Sequence, residues 1–265
     1  MTETITIDGL IVLRALPAHA KSAAPRSVLF VHGYFAEASV WEEWLPFFAE
    51  RGFAAYAVEL RGRRGSRPAT VLGDVSIEDF VNDARTVAGT LGKPAVVGHS
   101  MGGLIAQLLA ADDAVSAAAL IAPAPPRGIP LFVPGLLLKQ LKYVPAMLRS
   151  RVVRPAREDL RQIVMNRLSR DAQNSFLEKL HADSGRAGRQ MSMTGVPVDA
   201  ARVHCPIRVF TASDDRFIPP RIVKRIAHRY GVEAEMLEGH GHAVIIEPGW
   251  QALAETIVEW LQRSS

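Results

Sequence analysis

Six short apolar runs spaced along the chain, with helical patterns after two of the first three, restrict it to few plans. The runs are Val28-Leu29-Phe30-Val31, Ala54-Ala55-Tyr56-Ala57-Val58, Ala95-Val96-Val97, Ala117-Ala118-Ala119-Leu120-Ile121, Ile207-Arg208-Val209-Phe210 and Ala234-Glu235-Met236-Leu237. None alternates strictly between apolar and polar residues, which is the pattern of strands covered on both faces. Phe80, Val81, Ala84, Val87 and Leu91 recur at helical spacing, as do Leu104, Ile105, Leu108 and Leu109. Strand, helix, strand predicts an α/β fold with a mostly parallel, doubly wound sheet, whose ligand crevice lies beyond the carboxyl ends of the strands. Thr4-Ile5-Thr6-Ile7 and Leu10-Ile11-Val12-Leu13 flank Asp8-Gly9 and predict an opening hairpin. From about Gly249, Leu253, Ile257, Trp260 and Leu261 fall on one face of a closing helix.

The alternation stops after Ile121. Residues 124–200 hold no convincing strand but show helical patterns over 136–148, 156–168 and 171–180, interrupted by Pro134, Pro145 and Pro155. The expectation is a helical cap at 124–200 inserted into a core made of 1–123 and 201–265. The cap holds 13 Lys and Arg against 6 Asp and Glu, whereas the remainder holds 18 against 21. On a helical reading Arg154, Arg157 and Arg161 share one face, a docking patch for an acidic carrier protein or an anionic lipid surface; the ordinary reading is a solvated basic face. Few aromatics interleave with these charges and no nucleic-acid motif occurs, so nucleic acid is not an expected partner.

With 265 residues, 48% of them hydrophobic, the chain can bury a large core. No run of 18 apolar residues suggests a membrane-spanning helix, and Met1-Thr2-Glu3-Thr4 lacks the basic and apolar stretches of a secretory signal. A soluble, cytoplasmic protein is expected. The single cysteine, Cys205, leaves no partner for an internal disulfide or a multi-thiolate metal site.

Gly98-His99-Ser100-Met101-Gly102-Gly103 stands between an apolar strand and an apolar helix. It reads as a nucleophile elbow, in which a sharp turn presents Ser100 and small residues two before and two after it avoid backbone clash. A serine hydroxyl needs a base and an orienting carboxylate. The loop after the last strand offers His240 and His242; His242 is preferred because Gly241 frees the backbone before it and Val244-Ile245-Ile246 can anchor the loop after it. Asp214 and Asp215 follow an earlier strand, and Asp215 is preferred because Ile218, three residues on, can pack its loop down. The oxyanion donors expected are the backbone N–H groups of Met101 and of Tyr34, which follows His32-Gly33; His32 is expected to order that loop and not to act as a base. A His-x-His metal pair finds no further ligand at suitable spacing. No metal and no cofactor is expected.

These motifs, His32-Gly33-Tyr34, Gly98 to Gly103, Asp215-Arg216-Phe217-Ile218-Pro219 and Gly241-His242 with Glu247-Pro248, resemble the α/β-hydrolase superfamily in kind and order. The resemblance implies Ser100 as nucleophile, Asp215 as acid, His242 as base, and Tyr34 and Met101 as oxyanion hole, in a serine esterase of the monoglyceride lipase or carrier-protein methyl ester esterase type. It departs at Glu59-Leu60-Arg61-Gly62-Arg63-Arg64-Gly65-Ser66, where the family often has an aspartate followed by Arg-Gly-His-Gly. The expected reaction is hydrolysis of carboxylic esters with a moderately apolar acyl chain, and Leu136, Leu137, Leu141 and Met147 are expected to bind that chain. Thioesterase, lactonase, amidase, perhydrolase or hydroxynitrile lyase chemistry, or a slow-turnover small-molecule receptor, are the alternatives on this scaffold.

Overall fold

A computed structural model describes residues 1–18, 25–63 and 65–264, with the backbone alone for Leu138. Arg64, named above, therefore lies outside what is described. β1 (Thr2–Ile7) and β2 (Leu10–Ala15) pair antiparallel around Asp8 and Gly9, whose φ values of 47° and 75° suit a two-residue hairpin turn. β2 lies antiparallel to β4 (Ala54–Val58). From β4 onward every pairing is parallel, through β3 (Ser27–Val31), β5 (Ala95–His99), β6 (Ala117–Ile121), β9 (Ile207–Ala212) and β10 (Ala234–Leu237). Among the described residues this makes an eight-stranded sheet in the order β1-β2-β4-β3-β5-β6-β9-β10.

Successive strand residues feed opposite layers, as the absence of strict alternation requires. Leu29, Val31, Val96 and Leu120 pack with α2 (Ile77–Thr90), α3 (Met101–Ala111) and α9 (Pro220–Arg229). Val28, Phe30, Val97 and Ile121 pack with α1 (Trp44–Glu50) and α10 (Trp250–Arg263), where Trp44 stacks on Trp250 at 5.2 Å between ring centroids. Ser76 and Asp79 form a reciprocal capping box that starts α2. Helix α1 is not among the sequence expectations: its seven residues run Trp-Leu-Pro-Phe-Phe-Ala-Glu, too short and too uniformly apolar for a 3.6-residue period to show.

Between β6 and β9 the chain forms α4 (Leu137–Leu141), α5 (Val144–Leu148), α6 (Arg157–Ile163), α7 (Arg170–Leu177) and α8 (Gly185–Arg189). The helical pattern over 136–148, interrupted by Pro145, is two helices parted at Lys142 and Tyr143, because Pro145 has no N–H to donate back along a continuous helix. Two strands also occur where none was expected. β7 (Val152–Val153) and β8 (Asp183–Ser184) pair antiparallel, each too short to leave a periodic signal. The shared face of Arg154, Arg157 and Arg161 is corrected as well. Arg154 precedes α6, Arg157 lies 3.2 Å from Glu178, just past α7, and Arg161 donates to Gln173 and Asn174 within α7, so two of the three guanidinium groups have partners on that neighbouring segment. No helix among the described residues is long and apolar enough to cross a membrane.

Candidate active site

β5 ends at His99, and Ser100 turns the chain into α3 with φ 55° and ψ −115°, a conformation a serine adopts only at a cost of roughly 1–3 kcal/mol. The flanking glycines are there for steric reasons. A Cβ on Gly98 would stand 2.2 Å from the carbonyl oxygen of Gly102, and one on Gly102 would stand 2.0 Å from that of Val31. The turn is pinned to the next strand, since Ser100 N–H donates to the Ile121 carbonyl at 3.0 Å and the Ser100 carbonyl accepts from Ala124 N–H at 2.8 Å.

The loops after β9 and β10 converge on this turn. Ser100 Oγ–H donates to His242 Nε2 at 3.1 Å, and His242 Nδ1–H donates to Asp215 Oδ2 at 2.8 Å. The other oxygen of Asp215 accepts the N–H groups of Phe217 and Ile218, each at 2.8 Å, and the fully buried Ile218 side chain fixes the loop from below. Asp214, its neighbour, is half exposed and faces Arg167 at 3.5 Å. Ser100, Asp215 and His242 are all buried, so water does not screen their interactions.

The His242 loop is held by its own neighbours, in contacts that the motif does not display. Glu247 is buried and accepts from Gly241 N–H at 2.9 Å and from His240 Nδ1–H at 3.0 Å. Burial raises its carboxyl pKa above the ordinary range. His240 is therefore bonded into the loop. Gly241 is required by close approach, because a Cβ there would lie 2.7 Å from Asn166 Oδ1 and 2.9 Å from Glu247 Oε1. Beyond His242, Val244 and Ile245 are buried and Ala243 N–H donates to Val164 in the insertion at 3.1 Å.

The loop after β3 flanks Ser100 from the other side. Gly33 is close enough that an added Cβ would lie 3.2 Å from Ser100 Cβ, which brings the following residue, Tyr34, to the edge of the Ser100 turn. Met101 opens α3, so its N–H has no acceptor within the helix. His32 is fully buried, donating from Nδ1 to the Gly33 carbonyl at 2.9 Å and accepting from Leu60 N–H at 3.4 Å. The Tyr34 phenol donates to the Ser184 carbonyl at 2.5 Å; burial first, and the charge of Asp183 second, push its pKa well above the phenol range and keep it a donor.

Ser100 and His242 open onto a cavity of about 350 Å³ beneath the insertion. Leu136, Leu137, Leu141 and Met147 all line it, as do Phe176, Leu180, Met191 and Phe217, which the sequence reading did not select. Phe176 and Leu180 carry a usable signal, an i, i+4 apolar pair on α7 and its end; Met191 carries none. With a hydrogen-bonded hydroxyl, imidazole and carboxylate at one end and apolar walls above, the arrangement can transfer an acyl group to a serine oxygen.

The sequence pattern of the alpha/beta hydrolase family matches residues 28–256. No curated protein sequence matches the chain. Among solved structures, the monoacylglycerol lipase of Paleococcus ferrophilus is similar at TM-score 0.68 and 21% identity, over 97% of this chain and 99% of that one. A thermophilic esterase from Thermogutta terrifontis is similar at TM-score 0.73 and 19% identity, over 100% and 99%. The enol-lactonase of Burkholderia xenovorans LB400 is similar at TM-score 0.69 and 18% identity, over 98% and 100%. At these identities the likeness is one of fold, and it agrees with the family match. The chain belongs to the alpha/beta hydrolase family.

Proposed function

We propose that the protein is a serine hydrolase of carboxylic esters with an apolar acyl chain, residues 124–200 acting as the cap over a core of 1–123 and 201–265. The observation that carries this reading is the unbroken chain of hydrogen bonds from Ser100 Oγ through both nitrogens of His242 to Asp215, opening onto an apolar cavity. His242 takes the Ser100 proton as Oγ attacks the ester carbonyl, and Asp215 steadies the imidazolium. The tetrahedral oxyanion accepts from the backbone N–H groups of Tyr34 and Met101. His242 then returns the proton to the leaving alcohol. Water, activated by the same imidazole, releases the acid from acyl-Ser100. The apolar walls, Leu136, Leu137, Leu141 and Met147 among them, hold the acyl chain. An esterase and a monoacylglycerol lipase among the similar structures agree with ester hydrolysis in general.

The test is a fluorophosphonate probe together with a series of p-nitrophenyl esters of increasing acyl length. Labelling and turnover that both disappear in Ser100→Ala support the reading. Labelling without turnover of any ester makes the protein a binder with a reactive serine, and no labelling removes Ser100 as nucleophile.

A further inference from the structure

One ion pair between core and insertion is wholly buried: Arg63, in the loop after β4, and Asp183, in β8. It takes no part in the proton transfers described above. Burying two charges is expensive, and an apolar pair of the same volume generally serves stability as well or better. The placement has to be explained by what else these side chains hold, and both hold the segment 34–36 beside Ser100. Asp183 Oδ2 accepts Phe35 N–H at 2.8 Å, and Arg63 Nε donates to the Ala36 carbonyl at 2.9 Å. The same stretch of the insertion adds two contacts. Ser184 accepts the Tyr34 phenol through its carbonyl, and His181 N–H donates to the Phe35 carbonyl at 2.9 Å.

The segment needs holding. Phe35 has φ 66°, in the left-handed region that a bulky residue avoids, and it directly follows Tyr34, whose N–H is the oxyanion donor in the proposed reaction. Freed of its contacts, Phe35 would relax toward negative φ, and the Gly33–Tyr34 peptide, one residue away, would lose its aim. Oxyanion stabilisation depends on donors already oriented before charge develops. We infer that Arg63 and Asp183 are positioning residues for acyl transfer, using the β8 strand to fix the peptides around Tyr34. This rests on the Ser100 hydrolase reading. It also ties catalytic competence to the seating of residues 181–184 on the core, so the two are lost together.

The experiment uses the full chain and the paired variant Arg63→Met with Asp183→Leu, which replaces the ion pair by apolar side chains and leaves no lone buried charge. Active sites are counted by fluorophosphonate titration. Four quantities are then read: kcat per site and KM on one ester, inhibition by an alkyl trifluoromethyl ketone, whose adduct with Ser100 carries the oxyanion, and inhibition by the alcohol of the same chain, which carries none. The expected result is a kcat lower by about 10- to 100-fold, a trifluoromethyl ketone bound more weakly by a similar factor, and KM and alcohol binding within about threefold. Per-site kcat and ketone affinity equal to the parent's would overturn the inference, as would an equal weakening of ketone and alcohol, since either makes the pair a packing device. If the paired variant does not fold, Arg63→Ala and Arg63→Lys answer the same question: the lysine is expected to recover part of the ketone affinity that the alanine loses, and equal affinities overturn the inference. A parent protein that takes no fluorophosphonate defeats the Ser100 reading itself, a different failure visible before any variant is made.

Discussion

The imidazole of His99 donates from Nε2 to the main-chain carbonyl of His242 at 2.8 Å, so the residue before Ser100 is bonded to the backbone of the histidine that accepts the serine hydroxyl. The bond crosses from the end of β5 to the loop after β10, and the two rings lie 4.9 Å apart. Burial first, and proximity to His242 second, lower the His99 pKa to about 3, which leaves the ring neutral.

This neutrality predicts an acid sensitivity. In the unfolded chain the same ring takes a proton below its ordinary pKa of about 6.5, so from there down to about 3 the unfolded state binds more protons. Stability from this residue is therefore complete above pH 6.5 and falls as pH drops, by about 2 kcal/mol at pH 5. His99→Gln, which keeps an N–H donor and cannot titrate there, is expected to flatten that part of the profile. Urea unfolding at several values between pH 5 and pH 8 measures it, and parallel profiles for parent and variant would remove His99 as the cause.

The two aspartates separate by function. Asp215→Asn leaves the packing of the loop but presents an amide to His242 Nδ1, favouring the wrong tautomer, and kcat is expected to fall by about 10⁴-fold. Asp214→Asn disturbs a half-exposed contact with Arg167 and is expected to leave kcat within a few fold. Steady-state kinetics on one ester decide; comparable losses for both would show that the loop, and not the carboxylate at Nδ1, matters.

Glycines on the sheet and on an outer helix give opposite expectations. An alanine at Gly102 would press on the Val31 backbone, which the sheet prevents from moving, so Gly102→Ala is expected to destabilise by more than about 2 kcal/mol. Gly89, in α2, has open space where its Cβ would go, and Gly89→Ala is expected to stabilise by about 0.5–1 kcal/mol. Thermal melting of the two variants compares them directly.

What was legible in the sequence follows how far each constraint reaches. The glycines around Ser100 answer clashes within a few residues of the turn and with the strand beside it, so the motif is readable locally. Asp215 stands out from Asp214 because Ile218 marks which way the loop folds down, and the buried run after His242 marks the same for the last loop. The Arg63–Asp183 pair spans 120 positions in sequence, and nothing near either residue announces the other. Glu247 lies within the very motif that was read, yet its carboxylate works on the Gly241 and His240 backbone and ring, which only the folded loop displays. The arginine face was misread because Pro155 delays α6, leaving Arg154 outside the helix that carries the other two.

The cavity wall sets an expectation for acyl length. Met147 reaches from α5 to Gly188, where an added Cβ would lie 3.1 Å from its Cε and 2.8 Å from the Tyr34 hydroxyl, so its tip stands near the end of the Tyr34 phenol on the cavity wall. Leu137 and Leu141, 47% and 52% exposed, stand at the outer edge of the same cavity. A larger side chain at Met147 takes volume from the space, while shortening a side chain at the exposed edge changes little that water does not already touch. Met147→Trp is thus expected to lower kcat/KM for long-chain esters by more than about tenfold and to leave acetyl esters within about threefold. Leu141→Ala is expected to change both by less than about threefold. The ester series used for the parent measures the profile, and a Met147→Trp profile parallel to the parent's would mean that the acyl chain lies elsewhere.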